Sequence, residues 1–218
     1  RTVDDKYGHG THVAGIAAGV TNNGKGVAGT GFKCSLMNGK VLGDNGSGQW
    51  SWIANGIIWA TDNGAKVINM SLGGSTGSQA VSDAVDYAWG KGVVLVAAAG
   101  NVATSDPSYP AYYANVIAVA ATDQNDNLAS FSNFGSWVDV AAPGVSILSA
   151  YIRYNPPYVF MSGTSMASPH VAGLAGLLAS QGRTKDGIRA AIESNTDGSV
   201  NIAPGRGRIN AHKAVDAP

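Results

Sequence analysis

Short continuous apolar runs alternate along this chain with stretches whose apolar residues return every third or fourth position. VVLVAAAGN (93–101), VIAVAATD (116–123) and WVDVAAPG (137–144) carry few polar side chains, the pattern of strands covered on both faces. SLMNGKVL (35–42) and KVINMSLGG (66–74) predict two further strands, the first followed by a GDNGSG turn. Between and after the strands the period changes. SWIANGIIWATDNG (51–64), QAVSDAVDYAWGKG (79–92), TSMASPHVAGLAGLLASQG (164–182) and KDGIRAAIES (185–194) predict helices, and the tail ends near INAHKAV. Apolar strands alternating with amphipathic helices build an α/β domain around a mainly parallel sheet. The Gly-, Pro- and Asn-rich stretches at 22–31, 101–115 and 151–158 read as loops, not as domain boundaries. With no internal repeat and no low-complexity segment, residues 1–218 are expected to form one domain.

Composition narrows the function classes. The 218 residues suffice for one sizeable core. Charged residues are 13%, about half the usual share. The 14 basic and 14 acidic residues cancel, which argues against nucleic acid or an anionic membrane surface as partner. A single cysteine, Cys34, excludes an internal disulfide framework, and its apolar setting KCSLM reads as a buried structural thiol. No run of about 18 apolar residues predicts a membrane-spanning helix. No signal peptide opens the chain, whose first residues read as a loop within a longer protein.

Candidate chemistry falls where strands end and helices begin, the place open α/β sheets put their sites. In YGHGTHVAG, His9 precedes a helix between Gly8 and Gly10. In AAAGN, Asn101 follows a strand, and in SGTSMASPH, Ser165 stands at the mouth of the longest helix. Singly, each has an ordinary reading: a satisfied histidine, a turn residue, a helix N-cap. His12 and His170 read as structural groups beside these motifs, His212 as solvated, and Asp4 and Asp5 as solvated loop charges.

Taken in order, HGTHVAG, SLGG, AAAGN and GTSMASPHVAG resemble the subtilisin-like serine proteases, over nearly the whole chain. YAWGKGVVLVAAAGN, YPAYYANVIAVAATDQNDN, LLASQGR and IRAAIE resemble the thermitase branch of that family in particular. The resemblance implies a three-layer α/β sandwich with a mainly parallel, subtilisin-like sheet lacking its first strands. It implies that Ser165 is the nucleophile, His9 its base, and Asn101 an oxyanion donor together with the Ser165 backbone N–H. The family's chain order, Asp before His before Ser, agrees with His9 preceding Ser165.

The resemblance also implies a substrate extended between Gly46, Ser47 and Gly48 on one side and Ser71, Leu72 and Gly73 on the other. Small residues at Ser71, Gly73, Ala98, Gly100 and Ser108 suggest a roomy first pocket with no charge at its base, suited to large apolar or aromatic side chains. VTNNGKGV resembles the family's calcium loop, with Asn23 and the carbonyls of Val20, Lys25 and Val27 as hard oxygen ligands. The carboxylates that complete such a site in the family come from earlier in the chain, and Thr2 and Asp4 suggest a remnant of a second site. The family's catalytic aspartate sits well before the histidine in a D-[ST]-G turn, which has no counterpart here, so it is expected upstream of residue 1. Asp4 and Asp5 lie on the histidine's own loop and are poor substitutes. The implied protein is a secreted, monomeric serine endopeptidase acting on proteins and peptides, with an N-terminal segment of the same protein as a further partner. The alternative is a non-catalytic remnant that binds extended peptides.

Overall fold

The computed structural model describes residues 4–152, 154–198, 200–201 and 207–217. In chain order the elements are α1 (His9–Ala18), α2 (Trp50–Asp62), β1 (Val67–Met70), α3 (Gln79–Gly90), β2 (Val94–Ala98) and β3 (Val116–Thr122). Then come β4 (Val140–Pro143), β5 (Ile147–Ala150), β6 (Tyr158–Met161), α4 (Thr164–Ser180) and α5 (Lys185–Ser194). The tail holds β7 (Thr196–Asp197), β8 (Arg208–Ile209) and α6 (Ala211–Asp216). One sheet runs β1-β2-β3-β4-β8-β7, parallel except for the β7–β8 pair. A separate antiparallel hairpin joins β5 to β6.

The apolar runs explain the layering. On β2, Val94 and Val96 face one side, where Val171, Leu174 and Leu178 of α4 and Ile188 and Ile192 of α5 cover them. Leu95 and Ala97 face the other side, against Ile53 and Ile57 of α2 and Val81 and Val85 of α3. Successive strand residues point to opposite faces. A strand covered twice therefore needs apolar residues at every position, and all five of β2 are buried.

Helix α4 carries the nucleophile candidate through the middle of the molecule. It packs against α1. A Cβ added at Gly173 would stand 2.7 Å from both the Ala17 carbonyl oxygen and the Gly31 nitrogen, so only glycine fits there.

Three expectations need correction. Residues 35–42 run without assigned strand structure, and their backbone makes no hydrogen bond to other described residues. A strand exists only by pairing. Here Val41 packs against the α2–α3 cluster, while Leu36 and Met37 are exposed, and among the described strands β1 pairs with β2 alone. The β5–β6 hairpin was not expected, because two four-residue strands flanking a loop leave little periodicity to read. Cys34 is half-buried rather than buried, its sulfur against Gly31 and Gly176.

Candidate active site

Parallel strands end on one edge, so the segments after β1 and β2 emerge side by side. There they meet the start of α4. Asn101 turns its Oδ1 to Thr164, accepting from the Thr164 backbone N–H at 2.8 Å and from its hydroxyl at 3.0 Å. The Thr164 hydroxyl in turn accepts from the Gly100 N–H at 3.1 Å. Two donors on the oxygen fix which way the amide faces, and Asn101 Nδ2 is left without a partner among the described residues. The Ser165 N–H is likewise an orphan of the first helical turn. Two free N–H donors thus stand together at a helix N-terminus, where developing negative charge is favoured.

Pro169 explains a further link. Lacking an N–H, it leaves the carbonyl of Ser165, four residues back, without its helical partner. The Ser71 hydroxyl donates to that carbonyl at 2.8 Å. Asn69 Nδ2 donates to Ser71 Oγ at 3.0 Å, and Ser168 donates to Asn69 Oδ1 at 2.7 Å. The turn holding Ser165 is therefore tied to the end of β1. Among the described residues, Ser165 Oγ makes one long hydrogen bond, donating to the Ser71 carbonyl at 3.5 Å.

His9 opens α1 behind Gly8, whose φ of 92° and closeness to the Tyr151 ring require glycine. Burial, and then repulsion from His12, hold the His9 ring below the usual histidine value, with Asp5 offsetting part of the shift. The ring is therefore neutral near pH 7, the form a proton acceptor needs. Neither Ser165 nor any carboxylate is hydrogen-bonded to it among the described residues.

Asp5 has another task and is not a solvated charge. Its carboxylate accepts from the N–H groups of Tyr7, Gly8 and Thr11 and from the Thr11 hydroxyl, closing the start of α1. Burial pushes this carboxyl up, but those hydrogen bonds outweigh it and hold it below its ordinary value. His12 is buried, with Nε2 3.1 Å from the Val159 carbonyl, and His170 Nδ1 lies 2.9 Å from the Met166 carbonyl. Both are structural. His212 is exposed and pairs with Asp216.

A cavity of ≈ 450 Å³ opens beside Ser165. Leu72, Gly73, Ala98, Gly100, Asn101, Ser108 and Ser165 all line it. Backbone groups of Leu72 and Gly73 have no partners among the described residues, so they can pair with an extended chain. The sequence missed Asn133, Thr164 and Asp106, which also line the cavity. Thr164 sat beside Ser165 in the same motif, but nothing marked Asn133. Asp106 adds an exposed carboxylate to the lining. Gly46, Ser47 and Gly48 lie outside the cavity, on a loop closed by its own Gly46 N–H to Gly43 and Gly43 N–H to Ser47 bonds. Gly46 rests beside the Tyr7 ring.

Past the far end of α1, Asn23 Oδ1 accepts from the Lys25 N–H at 3.0 Å. Asn23 and the Val20, Lys25 and Val27 carbonyls offer neutral oxygens, of the donor type calcium takes, and include no carboxylate. No group of three or more His, Cys, Asp or Glu gathers among the described residues. Thr2 lies outside them. No described helix is long and apolar enough to cross a membrane.

The subtilase family, peptidase S8, matches residues 1–209. Thermitase of Thermoactinomyces vulgaris is 59% identical over 98% of this chain and 77% of its own length. The thermophilic serine proteinase of Bacillus sp. strain AK1 is 54% identical over 97% of this chain and 53% of its own length. A protease structure from Pseudoalteromonas arctica superposes with a TM-score of 0.90 at 39% identity, covering 96% of this chain and 70% of that one. The match over residues 1–209 and the identity to thermitase show that the chain belongs to the subtilase family.

Proposed function

We propose that this protein is a serine endopeptidase that cleaves extended peptide segments, with a preference for a large side chain ahead of the cleaved bond. The observation that carries the reading is the pair of unpartnered donors, Asn101 Nδ2 and the Ser165 N–H, placed beside Ser165 Oγ and a side-chain pocket. The Ser165 oxygen attacks the substrate carbonyl, and its proton passes to neutral His9, which returns it to the departing amine. The carbonyl oxygen becomes an anion between the two donors. Losing one such donor lowers turnover about 10²–10³-fold, a figure established on a subtilisin. The unpaired backbone of residues 72–73 receives the substrate as an added strand, and Gly46, Ser47 and Gly48 are proposed to border it opposite.

The decisive experiment is labelling by a fluorophosphonate together with hydrolysis of an unfolded protein. Both should vanish in Ser165→Ala, and labelling that persists in that variant would reject the assignment. A second reading is favoured by one observation, the His9 ring without a hydrogen bond to Ser165 or to a carboxylate: the chain binds peptides without cutting them. Binding without labelling would select it.

By resemblance we also propose secretion, a monomeric state, and calcium at Val20, Asn23, Lys25 and Val27. Neutral ligands make that calcium a weak stabiliser, acting only through preference for the folded state. Thermal melts with calcium and with chelator should differ slightly, and coincident curves would reject the site.

A further inference from the structure

Five asparagines precede a glycine in this chain: Asn23, Asn38, Asn45, Asn55 and Asn63. A glycine nitrogen is unshielded by any side chain, so it can reach the carboxamide carbon of the residue before it. Folding decides where that encounter happens. At four of the sites one or both groups are engaged. Asn23 Oδ1 accepts from the Lys25 N–H at 3.0 Å. Asn45 Oδ1 accepts from the Ser47 N–H at 3.0 Å, and the Gly46 N–H donates to the Gly43 carbonyl at 2.9 Å. Asn63 Nδ2 donates to the Trp59 carbonyl at 2.8 Å, and the Gly64 N–H to the Thr61 carbonyl at 3.1 Å. Asn55 and Gly56 lie inside α2, whose backbone hydrogen bonds fix the Gly56 nitrogen. Asn38 differs. It and Gly39 are exposed, in the segment without assigned structure. Neither its carboxamide nor the Gly39 N–H has a partner among the described residues, and a Cβ on Gly39 would meet nothing within 4 Å.

We propose that Asn38 and Gly39 form a site of spontaneous covalent modification, converting to isoaspartate and aspartate with water as the co-reactant. The Gly39 nitrogen attacks Asn38 Cγ. The C–N bond of the carboxamide breaks, and ammonia leaves with the former Gly39 proton. Water then opens the cyclic imide at either carbonyl, and nothing is oxidised or reduced. Opening at the main-chain carbonyl routes the backbone through the old side chain. Residue 38 then carries a new charge, and the main chain gains a methylene. Later residues fall out of the alternation on which strand pairing depends. The capacity of 35–42 to serve as a strand therefore decays with age, unless a partner strand first fixes the backbone that must turn for the attack.

The test ages the chain as Ser165→Ala, so that self-digestion cannot intervene, in buffer and in guanidinium. Each asparagine is followed by peptide mass mapping, with isoaspartate distinguished by enzymatic methyl labelling. In buffer Asn38 should convert about tenfold faster than Asn23, Asn45, Asn55 or Asn63, the factor imposed by first breaking one hydrogen bond. In guanidinium the five rates should converge, because no fold then distinguishes the sites. Gly39→Val, which shields the attacking nitrogen, should abolish the lead of Asn38 in buffer. Conversion of Asn23 or Asn45 as fast as Asn38 in buffer overturns the inference. So does a lead that persists unchanged in guanidinium, or loss of the amide without any isoaspartate. None of these outcomes bears on the peptidase reading, which stands or falls with Ser165 labelling.

Discussion

Thr164 shows how a residue without reactivity of its own shapes the site. Its N–H and hydroxyl both go to Asn101 Oδ1, so the asparagine amide cannot turn its oxygen toward a developing oxyanion. Thr164→Val keeps the shape and loses the hydroxyl bond. Labelling of Ser165 should slow about tenfold, close to the ~1.4 kcal/mol of one well-placed hydrogen bond, and an unchanged rate would show that the backbone bond suffices. The histidines allow a second prediction. His9, His12 and His170 are all held below 6.5, chiefly by burial. The unfolded chain therefore takes up protons before the folded one does. Their contribution is whole above pH 6.5 and drains as pH falls through the lowered folded values. Denaturant midpoints should decline from pH 7 toward pH 5, with a shallower slope in His170→Gln; parallel slopes would remove His170 from the account. At this scale His9, Asn101 and Ser165 were legible, because reactive residue types stood at strand–helix junctions. Asn133 was not, since nothing in the sequence shows that the distant Val102 N–H takes its oxygen and holds it in the cavity wall.

Elements were legible where their burial was two-sided. β2 and β3 read directly as continuous apolar runs, and α4 showed its length, because each is enclosed by partners that demand the pattern. The 35–42 segment carries the composition of a strand but has no pairing neighbour among the described residues, and composition cannot supply one. The approach of α1 to α4 was also invisible, since a glycine in a helix does not announce what it touches. Gly173→Ala would push a methyl group onto the backbone of Ala17 and Gly31, which cannot give as a side chain can. A loss of about 1–3 kcal/mol is expected, as for overpacked cores. Because α1 carries His9, Ser165 labelling should slow as well. Gly90→Ala is the control: nothing lies within 4 Å of the added carbon, and better helix propensity should stabilise by a few tenths to about 1 kcal/mol. If both substitutions cost the same, close packing is not what Gly173 provides.

At the scale of the molecule, two incomplete features belong together. The outer edge of β1 has no neighbour among the described strands, and residues 35–42 have an unpaired backbone. Exposed strand edges invite another strand. Leu36 at 58% and Met37 at 42% exposure are apolar surface such a strand would cover. Among the described residues, His9 has no hydrogen-bonded carboxylate to hold its tautomer and to steady the imidazolium formed during attack. A single extended segment ending in an aspartate would meet all three needs, and we propose a segment of the same protein for that role. The 218-residue polypeptide alone should therefore label and hydrolyse slowly. A synthetic peptide of alternating apolar residues ending in a family-type Asp-Ser-Gly turn should raise both rates, by about 10⁴-fold if the triad forms fully. The same peptide with asparagine for its aspartate should bind and stabilise equally but restore little activity, which separates filling the edge from supplying the charge. Full hydrolysis by the polypeptide without any peptide would show that His9 needs no such partner, and that the open edge of β1 has no bearing on the chemistry.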